Sequence, residues 1–203
     1  SSGGADPRIP GIHPGANGVL QNGNGDDVFG SLGVVRRDEN GNALNDPIFG
    51  GQAQATGRAA QSYFNNLWAV DAFWDGRATS QFSNPLTNQV VINNGGSLES
   101  QALGPILSNV EMAKDGRTWE EVIAKLARVS PLALAANIPQ DIANATNGNT
   151  YPDLFSAAFG DPEITPVRIP FALATYERTP VANQTPYDLN QLNGQQQAGL
   201  NAF

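Results

Sequence analysis

In several stretches past Gln61, the apolar residues of this 203-residue chain recur three and four apart, and nowhere do apolar and polar residues alternate over a sustained run. The first spacing lays a stripe along one face of a helix, whereas alternation would line one face of a strand. A mostly α fold with long irregular loops is the expectation. The plainest helical signal begins at Thr118-Trp119-Glu120-Glu121. There the Thr hydroxyl can accept one free backbone N–H while Glu121 reaches back to another. Trp119, Val122, Ile123, Leu126 and Ala127 then form one apolar stripe. Tyr63-Phe64, Leu67-Trp68 and Val70 predict an earlier helix that stops at Asp75-Gly76. Further helices are expected over 132–136, over 152–159 with Gly160 as stop, over 167–179 and from 195 to 203. In the third of these Pro170 falls in the first turn, where its missing N–H costs little, and Pro180 ends it.

Residues 1–56 read as a loop-rich N-terminal segment, and 57–203 as the helical region. Pro7, Pro10 and Pro14 interrupt the segment, and Asn17-Gly18, Asn22-Gly23 and Asn40-Gly41 favour turns because both residue types tolerate positive φ. Val28-Phe29 and Leu32-Gly33-Val34-Val35 suggest one short β-hairpin near 28–45, turning at Asn40-Gly41. A long loop wrapping the domain would carry the same residues. Residues 79–96 read as a loop enclosing the short extended run Gln89-Val90-Val91-Ile92.

The formal net charge is -8, and the eleven Lys and Arg are scattered, with Arg36-Arg37 the one adjacent pair. No basic face is available to release counterions from nucleic acid or to hold an anionic membrane. No 18-residue apolar run is present, so no membrane span is expected. An acidic surface suits a basic electron-donor protein and is also the ordinary solution for solubility. With no cysteine there is no disulfide, no thiolate metal site and no thioether to a haem. His13 is the sole histidine, so a Cys–His pair is excluded and a Ser/His/Asp set would have to use this loop residue. Asp26-Asp27 and Asp38-Glu39-Asn40 lack the spacing of an EF-hand loop.

Six blocks stand in a telling order. They are Gly57-Arg58 with Asn65; Phe73-Trp74-Asp75-Gly76-Arg77-Ala78; Ser97 to Ile106, containing Gln101 and Gly104-Pro105; Val110-Glu111-Met112; Tyr176-Glu177-Arg178-Thr179; and Thr185-Pro186-Tyr187-Asp188. Together they resemble the region between the two haems of bacterial di-haem cytochrome c peroxidases and their MauG-like relatives. The resemblance runs from about Thr56 to Phe203. It implies cytochrome c-like helical domains, haem c as cofactor, and a periplasmic or extracellular location. It also implies an oxidoreductase that reduces hydrogen peroxide, or uses it to oxidise a substrate. The partners implied are haem-bearing segments or a companion chain, and an electron-donor protein or an organic substrate. The family's Cys-x-x-Cys-His motifs would fall outside the stretch that this chain covers.

The resemblance also assigns roles. Glu111 stands at the family's acid–base position and Gln101 beside it as hydrogen-bonding neighbour; Trp74 stands between the haems as electron carrier. His13, following Gly3-Gly4-Ala5-Asp6, matches a histidine that ligates haem iron. The chemistry suits these types, since a carboxylate in a dry pocket can take a proton from one peroxide oxygen and return it to the other. Read without the family, a lone glutamate is ordinarily solvated, a lone tryptophan ordinarily core, and a loop histidine ordinarily exposed. Trp68 and Trp119 are expected in the core, and Met112 as packing beside Glu111. Ala59 stands where the family usually has an asparagine near a calcium, and keeps only a backbone carbonyl for it. The segments 17–55 and 79–96 are longer than in compact peroxidases. A reading of another class is a haem-free structural or interaction module on the same scaffold, with its Asn/Gln-rich surface as the contact.

Overall fold

The computed structural model describes residues 12–13, 28–56, 60, 62, 64–133 and 135–203. Among these, six helices carry the fold: α1 (Ser97–Leu107), α2 (Trp119–Leu126), α3 (Gln140–Thr146), α4 (Tyr151–Phe159), α5 (Arg168–Glu177) and α6 (Gly194–Ala202). Strands are short: β1 (Ile12–His13), β2 (Val28–Phe29), β3 (Leu32–Val35), β4 (Ala53–Ala55), β5 (Phe82–Ser83) and β6 (Val90–Ile92). They form three two-stranded antiparallel sheets, β1–β2, β3–β4 and β5–β6. The fold is mostly α, as the stripes predict.

Helix α2 starts at Thr118 with the expected capping box. A second box, Thr150 with Asp153, opens α4, and Gly160 in the left-handed conformation closes it. Trp119, Val122, Ile106, Phe155, Ile164 and Ile169 form one buried cluster, with Leu103, Ile123, Leu126 and Phe159 packed on it. Each such side chain removed from water contributes ~1.5–3 kcal/mol. A second buried layer ties α1 to α5 and to the β5–β6 hairpin. Phe82, Leu98 and Pro170 are its fully buried members, and the Phe82 and Phe171 rings lie 5.7 Å apart. Gly96 is required at this junction, because a Cβ there would stand 2.8 Å from that of Phe82.

Several expectations fail, each for a local reason. The helix predicted from Tyr63 is only a 3-10 turn at Asn66–Trp68, because Asn65 is left-handed at φ 60. Asn65 is held there by two bonds to the segment after α5: its N–H donates to Pro180 and its Oδ1 accepts from the Ala182 N–H. Trp68 is consequently 62% exposed, while Trp119 is core as expected. Among the described residues 132, 133, 135 and 136 no helix forms; Leu132 has φ 58, and Asn137 just beyond has φ 60. The hairpin expected near 28–45 is also different. β2 pairs with β1 and β3 with β4, and the turn at Asn40-Gly41 closes only the bridge Arg37–Ala43. Helices α1 and α3 had no sequence reading; α3 buries no residue, and α1 carries Gly104-Pro105 within it.

Candidate functional site

The Phe73–Ala78 block folds as a tight loop. The Ala72 N–H donates to the Ala78 carbonyl at 2.8 Å, and the Ser80 N–H to Asp71 Oδ1 at 2.7 Å, so the two ends meet. Gly76 supplies a left-handed turn at φ 65. Phe73 also has positive φ, at 66. A left-handed residue bearing a Cβ costs roughly 1–2 kcal/mol, a strain that marks functional loops more often than ordinary ones. The Arg77 guanidinium lies 3.6 Å above the Phe73 ring centroid, and its Nη1 donates to both Asp75 oxygens, at 2.9 and 3.1 Å.

Helix α1 faces this loop with Ser100, Gln101, Gly104 and Pro105, while Leu98, Ala102 and Ile106 point into the core. Pro105 has no N–H, so the Gln101 carbonyl, four residues earlier, loses its usual intrahelical donor on the cavity side. Glu111 arrives from the turn after α1. There the Ser108 carbonyl accepts from the N–H groups of Glu111, Met112 and Ala113. The N-terminal segment fixes this turn from behind. The Val34 N–H donates to the Val110 carbonyl at 2.8 Å, and buried Gln54 donates to the Val34 and Asn109 carbonyls. Gly33 makes the approach possible, since a Cβ there would stand 2.1 Å from the Val110 carbonyl oxygen.

Among the described residues, Phe73, Arg77, Ala78, Ser100, Gln101, Gly104, Pro105 and Glu111 line one cavity of about 280 Å³ that opens to solvent on one side. The structure thus brings Gln101 and Glu111 together, both half-buried. Trp74 does not share the cavity with them: it is 85% exposed on the same loop whose residues Phe73 and Arg77 line that cavity. Met112 is 59% exposed, which corrects the expectation that it packs beside Glu111. The backbone of His13 pairs with Val28 in β1, but the part expected of its side chain falls outside the described residues, as does Ala59 with its calcium question. Among the described residues, no three His, Asp or Glu gather as a metal site. Sequence reading missed Phe73, Arg77, Ser100 and Pro105 as cavity residues. The spacing of Gln101, Gly104 and Pro105 on one helical face was the signal that could have found part of this wall.

Residues 36–197 match the family described as di-haem cytochrome c peroxidase. The chain belongs to that family. It is 27% identical over 150 residues to the cytochrome c peroxidase Ccp of Escherichia coli (strain K12), across 71% of this chain and 24% of that protein. It is 29% identical over 137 residues to the methylamine utilization protein MauG of Methylophilus methylotrophus, across 68% of this chain and 29% of that protein. The chain therefore spans about a quarter of the length of these curated relatives. The family is one of oxidoreductases that carry two haems.

The cavity fits one part of a haem site and not another. These 203 residues hold no cysteine, so none of them can form a thioether to a haem. The cavity does offer the facing wall: an apolar ring and proline, an amide and a carboxylate. Such a wall can hold a small polar molecule and move its proton.

Proposed function

We propose that this chain supplies the peroxide-handling wall of a di-haem peroxidase-like oxidoreductase, with Glu111 as acid–base group, Gln101 as its positioning neighbour and Trp74 as the electron carrier between the haems. One observation carries the reading: Gln101 and Glu111, ten residues apart and on different elements, line a single cavity. A haem c, when bound, supplies the iron and the redox equivalents. The Glu111 carboxylate takes the proton from one peroxide oxygen and delivers it to the other, which leaves as water. The Gln101 amide, with two donors and one acceptor oxygen, holds the peroxide and keeps the carboxylate oriented. Phe73 and Pro105 keep one side of the cavity apolar and so favour proton transfer between the two oxygens over loss to water.

The exposure of Trp74 supports a role directed outward, because an 85% exposed indole is not serving the core of this chain. His13 would serve as an iron ligand from the loop-rich segment. Electrons come from a donor protein or an organic substrate, in a periplasmic setting. The test is Glu111→Gln in the haem-loaded protein, which keeps side-chain volume and removes the carboxylate. Rapid-mixing spectroscopy should show peroxide cleavage slowed by ~10²–10⁴-fold with the haem absorption spectrum unchanged. Cleavage at the unaltered rate would exclude Glu111 as the acid–base group. Trp74→Phe should leave that first step intact and slow only the later electron transfer.

A further inference from the structure

Arg77 enters none of the roles above, yet it is the one cation that lines the cavity among the described residues. Its position is set on two sides. Asp75 takes Nη1 through both carboxylate oxygens, and the Phe73 ring covers one face of the guanidinium. Nε and Nη2 make no hydrogen bond among the described residues. Together they form the side-on edge of the group, whose parallel N–H pair matches the two oxygens of a carboxylate. The side chain is 46% exposed, so this edge is reachable. The strained backbone of Phe73 is the platform that holds it.

We propose that the cavity takes a carboxylate-bearing ligand, gripped by the free side-on edge of Arg77. Asp75 neutralises part of the arginine charge, which favours a single bound anion over a cluster of them. Glu111 opposes an anion beside itself, so the carboxylate stays at the Arg77 end and the rest of the ligand extends toward Gln101. The fork rather than the charge alone does the selecting. A lysine in its place would offer a point charge without the paired donors. This inference rests on the cavity and not on proton transfer by Glu111. The carboxylate has two sources of the same chemistry, a propionate on the edge of a bound haem or the carboxylate of a free organic molecule.

Phenylglyoxal labelling of arginine, read at Arg77 by peptide mass spectrometry, separates them. The haem-loaded and haem-free preparations are each labelled with and without sodium formate. If a free carboxylate is the ligand, Arg77 labels in the haem-loaded protein and formate slows that labelling severalfold. If a propionate is the ligand, Arg77 labels only in the haem-free protein. In that case Arg77→Lys shifts the propionate bending band in the resonance Raman spectrum of the haem-loaded protein. Labelling that neither haem nor formate alters overturns the proposal. So does no labelling in any preparation, and so does haem protection with an unshifted propionate band. None of these readouts depends on peroxide turnover, so they stand or fall apart from the role of Glu111.

Discussion

Arg178 and Glu99 meet across the α1–α5 contact through two parallel hydrogen bonds, Nη1 to Oε1 at 2.8 Å and Nη2 to Oε2 at 2.9 Å. The Glu99 side chain is 5% exposed and that of Arg178 36%, so the pair straddles the surface. Arg178 Nη2 also donates to the Gly95 carbonyl, just before α1. The helix that carries Gln101 is thereby tied to the end of α5 by a two-pronged contact that fixes angle as well as distance.

Removing the arginine strands a buried carboxylate, whereas removing the carboxylate's charge leaves an arginine that still reaches solvent. Arg178→Ala should therefore destabilise more than Glu99→Gln. A fully buried pair broken this way costs ~3–5 kcal/mol, and the part-exposure of Arg178 brings the expected loss to about 2–3 kcal/mol. Urea unfolding of the two variants checks the order. Equal losses would mean that the pair is a surface contact of little consequence.

What sequence reading could see of this fold depended on whether a signal was local. Capping residues and apolar stripes are written in consecutive residues, so α2, α4 and α5 were legible to within a residue or two. The false helix near Tyr63 has a good stripe as well. It fails because Asn65 is captured by Pro180 and Ala182, more than a hundred residues away, and no local pattern reports that. Helix α1 was hidden by Gly104-Pro105, although its buried positions 98, 102 and 106 keep helical spacing. At the site, Gln101 and Glu111 came from the family's blocks alone. Arg77 and Phe73 were passed over because their meaning lies in backbone strain and stacking rather than in residue type.

Glu177 adjoins the same ion pair and behaves in the opposite way. Burial pushes its carboxyl above the ordinary value, Arg178 pulls it down and Glu99 pushes it further up, and its Oε2 is buried with no hydrogen-bond partner among the described residues. A raised folded-state value contributes stability that is complete below the unfolded value, 4.5, and is lost as pH rises through the folded one. Glu177→Gln should then raise the melting temperature at neutral pH and leave it little changed below pH ~4. Melting curves across that range decide it. A variant less stable than the parent at pH 7 would show that the charged form is favoured after all.

The acid limb should have a different owner. Asp161 is held down to about 2 by its hydrogen bonds from Arg168, with Nη2 to Oδ2 at 2.7 Å, and by the Glu163 N–H. A depressed value contributes stability above the unfolded value, 3.8, that is lost as pH falls toward 2. Arg168 opens α5 and stacks on Phe159 at 5.3 Å, so protonation loosens the α4–α5 corner first. NMR titration of the Asp161 carboxyl should give a midpoint well below that of Asp161 in the Arg168→Gln variant. Coincident midpoints would remove Arg168 as the cause.

Gly33 offers the sharpest link between scaffold and site. It lies in β3, in the segment that precedes the helices, and its missing side chain lets that strand approach the carbonyl of Val110. A Cβ at 2.1 Å from that oxygen meets backbone rather than a flexible tip, so one of the two segments has to move. Gly33→Ala should cost ~1–3 kcal/mol, as overpacking at a tight contact does. The movement falls on the turn that presents Glu111, since Val34 and Gln54 hold its other bonds. Peroxide cleavage in the haem-loaded protein should slow even at temperatures where Gly33→Ala is fully folded. Gly41→Ala, at a turn where an added Cβ meets no atom within 4 Å but φ is +86, serves as the control: it should carry a comparable folding cost without the loss of rate. If both variants lose stability and neither loses rate, the strand supports the fold without positioning Glu111.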